Sequence, residues 1–127
     1  MKLFDIFKKK KTPLFVYDEG NDVYIAEING IIFQCEKMQE RYEKFAIDLA
    51  NAYPNKLNNI IEFILPDIKM MFEVDDVDII KKSLGTPLID LDREILSYLE
   101  HTFDAIHNID VEFDGIFDRF LYSSIDG

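Results

Sequence analysis

Apolar positions in this chain first alternate with polar ones, then recur every three or four residues, and finally alternate again. The first alternation lies in "DVYIAEINGIIFQCE", two β-rich runs joined by Asn29-Gly30, the pair best suited to the two positive φ angles of a type I′ turn. With a two-residue loop, Ile28 faces Ile31, Ala26 faces Phe33 and Tyr24 faces Cys35, so one face collects the apolar side chains. The preceding "PLFVYDEGND" predicts a further short strand that turns through Glu19 to Asp22.

The helical period begins at Met38 and continues through Tyr42, Phe45, Leu49 and Ala52, with charged residues between them. This predicts an amphipathic helix ending near Tyr53-Pro54. A second helical stretch carries Leu57, Ile60, Ile61, Ile64, Leu65, Ile68, Met71 and Phe72, and its wider apolar stripe predicts deeper burial. Pro66 is expected to kink it or to open a new helix at its first turn. A short helix fits "DDVDIIKKSLG", with Asp75 or Asp76 as N-cap, lysines in the last turn and Gly85 as the stop.

Beyond Pro87 two periods compete. Residues 93–108 place Ile95, Leu99, Phe103 and Ile106 at helical spacing, yet Ile95, Ser97, Leu99 and His101 also alternate. The β-branched and aromatic content of "NIDVEFDGIFDRFLYSSIDG", with Asp114-Gly115 as a second hairpin signal, favours strands. On that choice a turn over Phe103, Asp104 and Ala105 pairs His101 with His107, Leu99 with Ile109 and Ser97 with Val111. The Asp114-Gly115 turn then sets Phe113 opposite Ile116, Val111 opposite Asp118, Ile109 opposite Phe120 and His107 opposite Tyr122. Leu99, Ile109, Val111, Phe113, Ile116 and Phe120 form the expected core face. Asp110 and Arg119 form a cross-strand ion pair on the other face, worth under about 1 kcal/mol if exposed.

His101 and His107 are the only histidines and the candidates for a metal site. Paired across strands they have too few neighbouring ligands for zinc, and six residues apart on a helix they point to different sides. A structural role is expected, hydrogen-bonded to backbone, to Tyr122 or to each other. The carboxylates of "EVDDVD" and "DLDRE" lack the glycine and terminal glutamate of a calcium loop and read as solvated caps. No nucleophile elbow, phosphate-cradling glycine loop, dinucleotide fingerprint or zinc-spaced cysteine pair occurs, so no catalytic residue or cofactor is assigned.

A chain of 127 residues, 48% of them hydrophobic, suits one domain with one core. Cys35, the sole cysteine, excludes an internal disulfide, reads as a small buried hydrophobe and points to a cytoplasmic location. The basic amphipathic "MKLFDIFKKKK" lacks the order of a secretory signal, and its docking on its own domain is expected over stable membrane association. No apolar run approaches the roughly 20 residues of a membrane span.

Charge is distributed unevenly. Residues 1–12 carry five lysines and one aspartate, net +4, so the chain total of −11 leaves −15 on residues 13–127. Such a body repels nucleic acid and attracts a basic protein partner.

Leu84-Gly85-Thr86-Pro87, the run from Tyr98 to Asp104, His107, Val111-Glu112-Phe113-Asp114-Gly115 and the closing Ile125-Asp126-Gly127 resemble a family of small acidic bacterial proteins of unknown function. In character the chain is also loosely similar to polymorphic-toxin immunity proteins. The resemblance implies an α+β domain and transfers no catalytic residue.

The expected fold is therefore a single α+β domain over residues 13–127: an N-terminal hairpin or meander, two or three central helices and a C-terminal antiparallel meander. The expected function is a non-enzymatic cytosolic binding protein, an immunity-type inhibitor that engages a basic partner through an acidic surface. The alternative is a small metal-dependent or acid/base hydrolase using His101, His107 and nearby carboxylates.

Overall fold

The computed structural model describes residues 13–127; the expectations for the basic N-terminal segment lie outside them. Three strands, β1 (Val16–Asp18), β2 (Val23–Ile28) and β3 (Ile31–Cys35), are followed by helices α1 (Tyr42–Phe72) and α2 (Val77–Ser83). Four more strands follow: β4 (Pro87–Asp90), β5 (Ile95–Tyr98), β6 (Asn108–Asp114) and β7 (Arg119–Asp126). All seven lie in one sheet in chain order. Every neighbouring pair is antiparallel except β3 and β4, which run parallel. A parallel pair needs a long crossover, and the two helices supply it. The chain is thus an α+β protein with a mostly antiparallel sheet.

The first hairpin has the register expected from Asn29-Gly30: Ile28 opposite Ile31, Ala26 opposite Phe33 and Tyr24 opposite Cys35. Asn29 and Gly30 have φ of 53° and 80°, as a type I′ turn requires.

The helical region departs from expectation. Met38 precedes the first helix, and α1 does not end at Tyr53-Pro54 but runs unbroken for 31 residues through Pro54 and Pro66. Both prolines are exposed, so their rings face away from the core. Each costs about 3 kcal/mol in a helix interior. Against this, Leu49, Ile60, Ile61, Ile64 and Ile68 are fully buried, each worth roughly 1.5–3 kcal/mol. Burial of the stripe prevails. The helix stops at Glu73, in the left-handed region with φ of 60°, whose N–H donates to the Lys69 carbonyl at 3.0 Å. Asp76 caps α2 through its side chain and Gly85 follows with φ of 76°.

Two registers in the C-terminal half also differ. Ser97 lies opposite Asp110 and Tyr98 opposite Ile109, one residue from the expected pairing, and β5 ends at Tyr98. Leu96 and Tyr98, rather than Leu99, therefore point inward, and Leu99 is exposed. The hydrophobic count tolerated either register, but only this one lets the Tyr98 hydroxyl meet Tyr53 at 2.5 Å. The Asp114-Gly115 hairpin is wider than two residues, with Phe117 at φ of 56° and its ring buried. Asp114 faces Arg119 and Phe113 faces Phe120, and an extra residue, Leu121, bulges before Tyr122 pairs with Glu112. The expected Asp110–Arg119 pair is thus replaced by Arg119 with Asp114.

Alternation gives the sheet two distinct faces. Ala26, Phe33, Ile89, Leu96, Val111 and Ser123 form one row across it, and the first five are buried. The long helix covers this face, since Ser123 donates to Asp67 of α1 and Tyr98 meets Tyr53 of α1.

Candidate functional site

The two histidines lie in the connection between β5 and β6, residues 99–107, and not on paired strands. His101 is buried. Its Nδ1 accepts the Phe103 N–H at 3.2 Å, which leaves the proton on Nε2 to donate to the His107 carbonyl at 2.5 Å. The imidazole thus holds the loop closed by bonding both of its limbs. Thr102 N–H donates to the Ser83 carbonyl at 2.8 Å and ties the same loop to α2.

His107 is oriented separately. Its Nδ1 lies 2.5 Å from Asp104 Oδ2, while Asp104 Oδ1 accepts the N–H groups of Ile106 and His107 at 3.1 and 3.0 Å. Those bonds, led by the His107 N–H, hold the Asp104 carboxyl down at about 2. Phe72, at the end of α1, stacks on Phe103 with centroids 4.9 Å apart and sits 5.8 Å from the His101 ring. Tyr122 stands away from this cluster, opposite Glu112 on the other sheet face. The expected histidine–tyrosine row does not form, because the shifted β5–β6 register ends the ladder before His101.

A carboxylate on Nδ1 is the arrangement that aims an imidazole's Nε2 at a proton, but general-base chemistry also needs a cleft to seat a substrate. Clefts of about 720 and 260 Å³ lie elsewhere, between α1 and β7, and one of about 270 Å³ lies beside Asp92 and Arg93; no histidine lines any of them. Among the described residues no three His, Cys, Asp or Glu side chains gather as a metal site requires. Cys35 is buried, and desolvation, with help from Asp92 and Asp90, pushes its thiol up to about 11.

The carboxylate-rich stretches are occupied by backbone. Asp76 Oδ1 accepts the N–H groups of Asp78 and Ile79 at 2.9 and 3.2 Å. Asp90 caps the β4–β5 turn and binds Arg93 Nη1 at 2.8 Å. Asp92 accepts the Tyr42 hydroxyl and the Glu36 N–H, each at 2.7 Å, joining the start of α1 to the sheet.

The outer sheet face has a different character. One row across it reads Val16, Ile25, Gln34, Asp90, Ile95, Glu112 and Tyr122, and the next reads Glu27, Ile32, Leu88, Ser97, Asp110 and Ser124. None of these residues is buried. Carboxylates and aliphatic side chains share the surface, and neither row contains a lysine or arginine. The signal for it lay in runs such as "YIAEI" and "IIF", where apolar residues occupy both alternating sets and so leave one set outside.

No protein-family model, curated protein or solved structure matches the chain, so its function is read from its own residues. Among the described residues no helix is long and apolar enough to cross a membrane.

Proposed function

We propose that this protein is a non-enzymatic cytosolic binding protein, of the immunity-inhibitor type, whose outer sheet face engages a basic protein partner. The observation that carries this is the pair of outer rows, where Glu27, Asp90, Asp110 and Glu112 stand among Ile25, Ile32, Leu88, Ile95 and Tyr122, with no lysine or arginine in either row. Apolar area supplies affinity when covered, at about 25 cal/mol per Å². The carboxylates select a cationic partner and speed its approach, helped by the −15 charge of residues 13–127. Asp90 is already engaged by Arg93, which leaves Glu27, Asp110 and Glu112 as the principal attractors. The same charge disfavours a nucleic-acid ligand, whose phosphates need clustered lysine and arginine. A free, buried cysteine suits a reducing compartment.

The test is a low-salt pull-down from the source cells with the wild-type chain and a Glu27→Gln, Asp110→Asn, Glu112→Gln variant. A basic protein retained by the first, lost from the second and released by added salt is the expected result. Recovery of no basic protein, or equal recovery by both chains, refutes the proposal.

A further inference from the structure

The two edges of the sheet are built differently. β1 is three residues long and is followed at once by a turn in which Asp18 binds Gly20 and Asn21. A short edge of this kind offers little to a passing strand. At the other edge β7 is eight residues long and pairs with β6 alone among the described strands. It contains no lysine or proline, and the charged residues within its span, Arg119 and Asp126, stand at its two ends. Its bulge at Leu121 disturbs only the first part, and Tyr122–Asp126 continues as regular ladder.

The side chains flanking this edge are sorted by face. On the helix side, two clefts between β7 and α1 have mixed linings, Phe63 and Phe120 with Lys56 and Glu62 in one, and Met70, Met71 and Ile125 with Asp67 in the other. Met70 is 85% exposed and Met71 45%, which is unusual for flexible apolar side chains and leaves them free to cover an incoming one. On the outer side, the positions nearest the edge are Tyr122 and Ser124, with Glu112 and Asp110 directly behind them on β6, and Asp126 opposite Asn108. A strand laid beside β7 therefore meets exposed apolar side chains set among polar ones on its helix side, Met70 and Met71 foremost, and a carboxylate-bearing face on the other.

We propose that β7 is a strand-addition site, and that its occupant is an extended segment of a basic partner in which lysine or arginine alternates with apolar residues. The outer backbone of β7, unpaired among the described residues, supplies the main-chain bonds, Met70, Met71 and Ile125 beside α1 take the apolar set, and Glu112, Asp110 and Asp126 take the cationic set. This rests on the reading of the outer face as a surface for a basic partner and adds the geometry of engagement.

The experiment titrates the full chain at low salt with three synthetic eight-residue peptides. One alternates lysine and valine, one has the same composition with its lysines in a block, and one is the alternating peptide N-methylated at every residue. The alternating peptide is expected to bind roughly tenfold more tightly than either of the others, which lack the pattern or the backbone donors. It is also expected to slow amide exchange along Tyr122–Asp126 and not in β1. Equal binding of all three overturns strand addition while leaving an electrostatic surface intact. Binding unchanged in the Glu27→Gln, Asp110→Asn, Glu112→Gln variant overturns the acidic-face reading instead. Self-association of the chain through β7, seen by sedimentation with no peptide bound, overturns the proposed occupant in favour of a second copy.

Discussion

The hydroxyls of Tyr53 on α1 and Tyr98 on β5 lie 2.5 Å apart beneath the sheet, a polar tie between the long helix and the strand it covers. Tyr98 is fully buried, so its oxygen has no water to turn to. Tyr53→Phe strands that oxygen and is expected to cost about 1–3 kcal/mol, whereas the double change to Phe at both positions recovers part of the loss. Urea denaturation of the four chains in a double-mutant cycle measures it.

Alkaline pH is expected to destabilise the fold, with Cys35 becoming reactive only as the protein unfolds. Burial raises the Cys35 thiol from about 9 to about 11 and raises Tyr53 from 10 to about 12, with Tyr98 also well above its ordinary value. Below the unfolded values both states hold neutral groups, so nothing is lost. As pH rises through about 9 to 11 the unfolded thiol ionises first, and the stabilisation of the neutral form disappears. Cys35→Ala is expected to flatten this part of the stability–pH curve, and thiol alkylation to follow the unfolding rate.

Acid acts on Asp104. Its carboxyl is held at about 2 by hydrogen bonds led by the His107 N–H, so its contribution is complete above the ordinary carboxylate range and is lost as pH falls toward 2. Asp104→Asn removes that dependence. Thermal melts of both chains between pH 5 and 2 are expected to converge at the acid end.

His101 is expected to matter more for stability than His107. Replacing His101 by Phe leaves the Phe103 N–H and the His107 carbonyl without their partner, at roughly 1–3 kcal/mol for each buried group. His107→Ala releases a ring that is 26% exposed and is expected to cost less. Limited proteolysis within residues 99–107 distinguishes them: the first variant is cut readily, the second slowly.

Two glycines with similar backbone angles should respond differently to alanine. At Gly30, φ of 80°, a Cβ meets open space, so Gly30→Ala costs only the left-handed conformation, about 1 kcal/mol. At Gly85, φ of 76°, the new Cβ lies 2.7 Å from the Glu100 carbonyl oxygen, and backbone cannot yield as a side chain would. Gly85→Ala is expected to lose at least about twice as much, measured by chemical denaturation.

The sequence by itself determined the elements whose instructions are local. Asn29-Gly30 admits one tight turn, and that turn sets the register of Ala26 with Phe33 whatever the rest of the chain does. Asp76 followed by "VDIIKKS" carries its own cap and stop, and Cys35 lies on an apolar stripe and is buried. Tertiary structure decided the rest, because the competing local signals differed by less than packing supplies. Pro54 and Pro66 argue against one helix, yet the buried stripe from Leu49 to Ile68 overrides them. The β5–β6 register, and with it the separation of His101 from a facing His107, depends on where Tyr98 finds Tyr53, a residue forty-five positions away. The parallel contact of Ile32 with Leu88, which joins the two halves into one sheet and leaves β7 at its edge, has no local code at all. It forms because the crossover of α1 and α2 carries the chain back across the face that α1 buries.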